Sequence, residues 1–132
     1  MKRAMILALP MVLMALTAGL LLAQNTDLSG TWVGDTVVPN SPDKDGITLV
    51  LKKDGASYSG TFTDSMGMAN AVPLENIKLE KDTLTFDFLV NVGDSSVRIY
   101  TTLKISGEKL VGSWASESND TGALELSRKK VG

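Results

Sequence analysis

The sequence predicts an all-β protein in which a single antiparallel sheet rolls into an eight-stranded up-and-down barrel. Two observations support this prediction: one strand motif occurs three times, and short alternating strands follow one another between turn signals. The motif reads large apolar, small, Gly, Thr or Ser, aromatic, at Leu28–Trp32, Tyr58–Phe62 and Leu110–Trp114. Alternation puts its first, third and fifth residues on one face. A glycine between two large residues of one face marks a bend in the sheet or a close backbone approach.

The first 23 residues lie outside this barrel. Lys2 and Arg3 precede an apolar run over residues 4–23, which ends on a small residue before a polar segment. A basic start, an apolar stretch and a small final residue are typical of a secretory signal peptide. We therefore expect a signal peptide over 1–23 and a mature domain over 24–132 that is secreted or periplasmic. The alternative is an uncleaved membrane anchor, since the run approaches membrane-spanning length.

The composition of the mature domain limits its function. Without Lys2 and Arg3 the chain keeps 11 of its 13 basic residues against 15 acidic ones, a net charge of about −4. This balance argues against nucleic acid as a partner, because nucleic-acid binding needs a basic face. The chain has no cysteine, so an exported domain of this kind must be stabilised by packing. About 109 residues suffice for one domain with a modest core, and we expect a monomer.

Eight segments alternate between apolar and polar residues, as short strands do. One apolar and one polar face indicates an antiparallel sheet with a single buried side, and the regular spacing favours a meander. The predicted strands are 28–38, 47–53, 57–64, 73–80, 83–90, 97–106, 109–117 and 123–130.

Each strand carries its own signal. The first, third and seventh contain the glycine motif, and the fourth is bounded by the tight Lys81-Asp82 turn. The buried faces of the others are predicted to be Ile47, Leu49 and Leu51 in the second strand, Leu84, Phe86, Phe88 and Val90 in the fifth, Val97, Ile99, Thr101, Leu103 and Ile105 in the sixth, and Leu124, Leu126 and Arg128 in the eighth.

The connections between strands fall into two classes. Asp54-Gly55, Lys81-Asp82 and Gly107-Glu108 are tight turns, and Asp-Gly is a strong hairpin signal. The longer connections are 39–46, 65–72, 91–96 and 118–121. Alternate connections of a meander fall at opposite ends of the sheet. The sequence therefore predicts a closed base and a mouth surrounded by loops, where binding sites usually lie.

With Gly30 and Trp32 on the first strand and Arg128 on the last, the chain resembles the calycin barrels, meaning lipocalins and avidins. It is most similar to small exported bacterial β-barrel domains. The resemblance implies a lipocalin-like barrel in which Gly30, Trp32 and Arg128 form a structural signature, with the Arg lying across the Trp. Biotin binding does not follow, because Gly34 and Phe62 stand where the avidin pattern has Asn and Tyr.

The residues available for catalysis are few. The chain has no His and no Cys, which removes histidine bases, cysteine nucleophiles and the common zinc sites. Alternation puts Asp87 and Glu125 on the solvated outer face, while Asp35, Asp64 and Asp120 lie at the loop end. Residues 41–46 resemble the start of a calcium loop but are interpreted as a turn. We predict no enzymatic activity, no metal site and no cofactor.

Two binding functions remain, beside a purely structural role. The barrel could carry a small apolar ligand in its mouth, or its loops could contact an exported protein, as in an inhibitor. An eight-stranded barrel is just wide enough to be filled by its own side chains or to hold one small ligand. Met66 and Met68 are predicted either to form an adaptable loop-end contact or to cover the mouth. The candidate ligand-lining residues are Trp32, Tyr58, Phe62, Phe86, Phe88, Leu103 and Trp114.

Export is the first testable prediction. N-terminal sequencing of the exported protein is expected to begin at or near Gln24, because the apolar run ends at Ala23. An intact Met1 in a membrane fraction would contradict cleavage and favour the anchor.

Overall fold

The computed structural model describes residues 27–38 and 41–130. The predicted signal peptide lies outside these residues. Within them, no helix is long and apolar enough to cross a membrane.

The described chain forms one antiparallel sheet of nine strands that curls into a nearly closed barrel. The strands are β1 (Gly30–Val37), β2 (Lys44–Asp54), β3 (Ser57–Asp64), β4 (Val72–Pro73), β5 (Glu75–Glu80), β6 (Thr83–Val92), β7 (Ser95–Ser106), β8 (Lys109–Ser116) and β9 (Thr121–Arg128). Their order in the sheet is β4-β3-β2-β1-β9-β8-β7-β6-β5. The predicted meander is therefore confirmed, and β1 pairs with β9, so that first and last strands join.

The prediction of eight strands was wrong, because the segment 73–80 is divided at Leu74. Val72 and Pro73 pair with β3, and Glu75 then begins the pairing with β6. The Leu74 N–H donates to the Gly60 carbonyl at 3.0 Å, and a bulge with Asn76 at φ 53° follows. The chain thus crosses from one sheet edge to the other. We call this crossing, residues 72–76, the seam.

Two predicted loops are shorter than expected. The connection 91–96 is a two-residue turn, because β6 extends to Val92 and β7 starts at Ser95. Gly93 supplies the left-handed residue that such a turn requires, with φ 62°. Likewise, β2 begins at Lys44 rather than at residue 47. The strands therefore reach further into the mouth than the turn residues indicated.

Gly60 and Gly112 lie where neighbouring backbones come close. A Cβ on Gly60 would collide with the Val50 carbonyl oxygen, and one on Gly112 with the carbonyl oxygen of Thr102. Both contacts are with backbone atoms of the adjacent strand, so no side-chain movement could relieve them. Gly60 and Gly112 therefore permit the strong curvature that barrel closure demands.

The base of the barrel is filled. Leu28, Trp32, Leu49, Leu103 and Leu126 are each completely excluded from solvent. Burial of this kind stabilises the fold by about 1.5–3 kcal/mol for each large apolar side chain. The tight turns at 55–56, 81–82 and 107–108 close this end.

Arg128 connects three segments at the base. Its guanidinium carbon lies 4.3 Å from the centre of the Trp32 ring. Its Nη1 donates to the Ser29 carbonyl at 2.6 Å, and its Nη2 donates to the Asp27 carbonyl at 3.0 Å. Gly30 has a φ of 129°, and a Cβ there would lie only 3.2 Å from Nη1. A glycine at this position therefore leaves room for the Arg.

Replacing Arg128 by Ala is expected to lower the free energy of unfolding by about 1–3 kcal/mol, since it removes a cation–π contact and two charge-assisted hydrogen bonds. The ion pair with Glu108 contributes little, because the Glu108 side chain is 80% exposed. Urea denaturation measures the change. Lys104→Ala is the matched control: its ion pair with Asp82 is exposed, and its loss should stay within about 0.5 kcal/mol.

A double-mutant cycle tests the partner of this Arg. If Arg128 acts through the Trp32 ring, Arg128→Ala and Trp32→Phe share part of their effect. Strictly additive losses would refute the pairing.

Candidate functional site

A cavity of about 300 Å³ lies inside the barrel at the loop end. This is at the small end of the range for small-molecule sites, about 300–1,000 Å³. Its walls come from the mouth ends of β1, β2, β3, β6, β7 and β8. Most of the lining is apolar, including Ile47, Phe62, Phe88, Val90, Ile99 and Trp114. The barrel is thus filled in its lower half and open in its upper half.

Stacked phenylalanines form the lower limit of the cavity. The rings of Phe62 on β3 and Phe88 on β6 stack at 4.2 Å between centroids, with planes 24° apart. Phe86 lies one step closer to the base on β6, 6.0 Å from the Phe88 ring. Phe62 and Phe88 are nearly inaccessible to solvent. The floor is therefore a rigid aromatic surface that spans the seam.

Trp114 forms a fixed wall of the cavity. Its Nε1 donates to Thr36 Oγ1 at 2.8 Å, and that hydroxyl donates to the Ala123 carbonyl at 2.6 Å. The ring lies against Gly122, where a Cβ would approach the indole nitrogen to 2.5 Å. Any larger residue at that position would displace the ring. Because its polar atom is satisfied, the indole presents an apolar surface.

The predicted ligand-lining residues divide between the two halves of the barrel. Three of them line the cavity: Phe62, Phe88 and Trp114. The other four are absent from its lining: Trp32, Tyr58, Phe86 and Leu103. They lie nearer the base because each falls in the half of its strand that is closer to the base. Tyr58 also serves the base directly, since its hydroxyl accepts a hydrogen bond from the Leu28 N–H at 3.1 Å.

The two loop methionines have different environments. Met68 lines the cavity, and its carbonyl accepts a hydrogen bond from the Asn91 N–H at 3.0 Å. Met66 is 40% exposed at the rim. Met68 therefore packs at the cavity, and the loop-end contact predicted for Met66 and Met68 stays a prediction.

Two aspartates lie together on the cavity wall. Asp45 at the start of β2 is 2% exposed, and Asp64 at the end of β3 is 8% exposed. Asp45 Oδ1 accepts hydrogen bonds from the Ser65 N–H at 3.0 Å, the Ser65 hydroxyl at 3.1 Å and the Met66 N–H at 3.1 Å. Asp64 Oδ1 accepts one from the Ala69 N–H at 2.7 Å. One oxygen of each carboxyl therefore holds the loop that follows β3.

The remaining oxygen of Asp64 is not satisfied. Within the described residues, Asp64 Oδ2 is buried and has no hydrogen-bond donor when both carboxyls are ionised. Burial raises the pKa of Asp45 to about 6, and hydrogen bonding to the Asp64 carboxyl and the charge of that group add to the effect. Two buried carboxylates repel each other, so a proton shared between them stabilises the pair.

Asp45 was missed from the sequence because residues 41–46 carry so many turn formers. The available signal was alternation: Asp45 precedes Ile47 and Leu49 by steps of two, and Asp64 follows Phe62 by two. Both aspartates therefore continue the inner faces of their strands.

The other acidic residues predicted at the loop end and on the outer face are dispersed. Asp120 lines the cavity, whereas Asp35 and Glu125 are exposed on the outer face. The expectation that Asp87 is solvated was wrong, since it is 8% exposed. Arg98 forms an ion pair with it, and Asn76 Nδ2 donates to its Oδ2 at 2.9 Å. Across residues 27–38 and 41–130, no cluster of three or more His, Cys, Asp or Glu could hold a metal ion.

No family model, curated protein or solved structure matches the chain. The resemblance to calycin barrels therefore stays a prediction from the sequence. The structure itself shows one antiparallel sheet that forms a nearly closed barrel.

The acid pair predicts an unusual dependence of stability on pH. The Asp45 carboxyl has its ordinary pKa of 3.8 in the unfolded chain and a pKa of about 6 in the folded protein. The folded state therefore holds this proton more tightly, and the stability it contributes is lost as the pH rises from about 4 through 6. The loss should amount to roughly 1–3 kcal/mol. Asp45→Asn keeps an oxygen for the loop donors and should abolish it.

Urea denaturation of both proteins between pH 4 and 7 measures the difference. Asp35→Asn, on the exposed face of β1, is the matched control and should follow the parent protein. Identical pH profiles for the parent and Asp45→Asn would show that the two carboxyls do not share a proton.

Proposed function

We propose that the protein is an exported, non-enzymatic binding module of lipocalin-like architecture that carries a small apolar ligand in the mouth of its barrel. The observation that supports this most directly is the cavity of about 300 Å³ above the stacked phenylalanines. An engineered apolar cavity of roughly 150 Å³ suffices to bind benzene. A ligand with a body the size of one or two fused rings therefore matches the available volume.

The construction of the walls also supports a ligand site. The phenylalanine floor is buried, and the Trp114 indole is held by Thr36 and Gly122 before any ligand arrives. Preformed apolar walls lower the ordering entropy that binding must overcome. The lack of histidine and cysteine in the sequence argues for binding rather than catalysis.

A neutral lipophilic dye, N-phenyl-1-naphthylamine, tests the proposal. We expect saturable binding with quenching of tryptophan fluorescence, and Trp114→Phe should remove most of the quenching because Trp114 lines the cavity whereas Trp32 is fully buried in the base. Val97→Phe fills the cavity and should weaken binding by at least about tenfold. The matched control is Val111→Phe, at an exposed position of β8, which should leave binding unchanged.

Absence of saturable dye binding by the folded protein would sink the carrier proposal. Equal weakening by the two phenylalanine variants would show that the dye binds elsewhere.

A second candidate function is protein binding through the rim. Val37, Met66 and Val92 are 56%, 40% and 50% exposed around the loop end. Exposed apolar side chains grouped at one end of a domain are a common feature of protein-contact surfaces. A folded protein that binds no dye would favour this candidate, since the rim would then be the remaining apolar feature of the mouth.

A further inference from the structure

We propose that the ligand of the mouth cavity carries a cationic amine, which binds at the carboxyl groups of Asp45 and Asp64 while its apolar body packs against Phe62, Phe88 and Trp114. This inference rests on the proposed function, because it names the chemical class of the ligand for the same cavity.

The first argument is the charge of the cavity. Three acidic residues line it, Asp45, Asp64 and Asp120, and none of the described lining residues is basic. Lys44 is adjacent to Asp45 but is exposed. An anionic ligand would meet repulsion without a compensating cation, whereas a cationic one would be attracted in a region of reduced dielectric constant.

The second argument is the unpartnered oxygen. Asp64 Oδ2 is one of two buried side-chain polar atoms without a partner in the described residues, and the other is the uncharged Thr101 hydroxyl. A buried carboxylate oxygen without a donor is unfavourable by several kcal/mol. When the shared proton is absent, an ammonium group beside the pair supplies a neutralising charge.

Holding the loop does not account for the whole acid pair. Asp45 Oδ1 and Asp64 Oδ1 accept all the loop donors described above. A single asparagine at either position would provide the same acceptor oxygen without charge repulsion. The charge of the second carboxyl is therefore the feature that a purely structural role leaves unexplained.

The apolar surfaces complete the site. The aromatic rings lie in the same cavity as the carboxyls, so one small molecule can contact both. This combination fits an arylalkyl amine, with an apolar body and a single charged end. A proton and the ammonium then compete for the acid pair, since either one relieves the repulsion between the carboxylates.

Three naphthalene compounds that differ mainly at the polar end test the inference: 2-(1-naphthyl)ethylamine, 2-(1-naphthyl)ethanol and the carboxylate of 1-naphthylacetic acid. Their affinities are measured at pH 7.5 by displacement of N-phenyl-1-naphthylamine and by calorimetry. The amine should bind at least about tenfold more tightly than the alcohol, as a charge-assisted hydrogen bond implies. The acetate should bind most weakly.

Substitution of the acid pair separates its charge from its role in the loop. Asp64→Asn should reduce amine affinity by about tenfold or more and change alcohol affinity by less than about threefold. Asp45→Asn, which retains an acceptor for Ser65 and Met66, is the second variant in case the first fails to fold. Asp35→Asn is the control and should change neither affinity.

Lowering the pH to 5 provides an independent readout. Amine affinity should fall as the pair gains a proton, and alcohol affinity should not. The titratable groups described on the cavity wall are Asp45, Asp64 and Asp120. The β1 residue paired with Asp45 is Thr36, and the loop that packs on it presents Ser65 and Met66, all uncharged. The pH effect should therefore disappear in Asp45→Asn.

The outcomes distinguish the two proposals. If the dye and the alcohol bind but the amine binds no more tightly, the inference is overturned and the carrier function stands. If Asp64→Asn weakens alcohol and amine equally, the pair acts only through the loop, and the inference is again overturned. If neither the dye nor any naphthalene compound binds the folded protein, the proposed function itself fails.

Discussion

The pairing of β1 with β9 is the interaction on which the rest of the structure depends. It joins the first and last strands of a meander in register from Trp32↔Arg128 to Thr36↔Leu124, and so separates an inner face from an outer one. Arg128 holds this closure at the base by contacting the Trp32 ring and the carbonyls of Asp27 and Ser29. The chain has no cysteine, so this noncovalent contact, and not a disulfide, ties β9 to β1 and to the residues before it. Because closure is secured at the base, the mouth need not be packed.

The opposite side of the barrel is where the sheet stays open, because β4 and β5 are the two ends of the strand order. At the seam the sheet is continued by chain connectivity, and Leu74 contributes a single backbone hydrogen bond to Gly60. Above the seam, the loop after β3 reaches across to β6, where the Met68 carbonyl accepts from Asn91. Asp45 and Asp64 hold this same loop. The acid pair therefore lies beside the open side of the sheet and holds the loop that bridges it.

The sequence predicted what depends on local pattern. Strand alternation put Arg128 on the face of Leu124 and Leu126, and the repeated motif identified Gly60 and Gly112 as sites of curvature. The division at Leu74 was missed because it arises from how far the closed sheet must bend, which no single strand encodes. The burial of Asp87 depends on Asn76 and on the bulge, and is likewise invisible in alternation. Counting aromatic rings could not decide whether the barrel is filled, because the rings are distributed unevenly along its axis.

The two ends of the barrel differ in how they are packed and in how their charged groups are paired. The base contains large apolar side chains, and the Arg128 guanidinium there donates hydrogen bonds to Glu108, Ser29 and Asp27. The mouth keeps an unfilled volume and two buried carboxyls, although well-packed apolar residues in their place would often be neutral or stabilising. A ligand that binds only the folded state recovers this stability by mass action. The unfilled volume and this acid pair therefore lie at the end that closure leaves free, which is the arrangement expected if the mouth binds the proposed ligand.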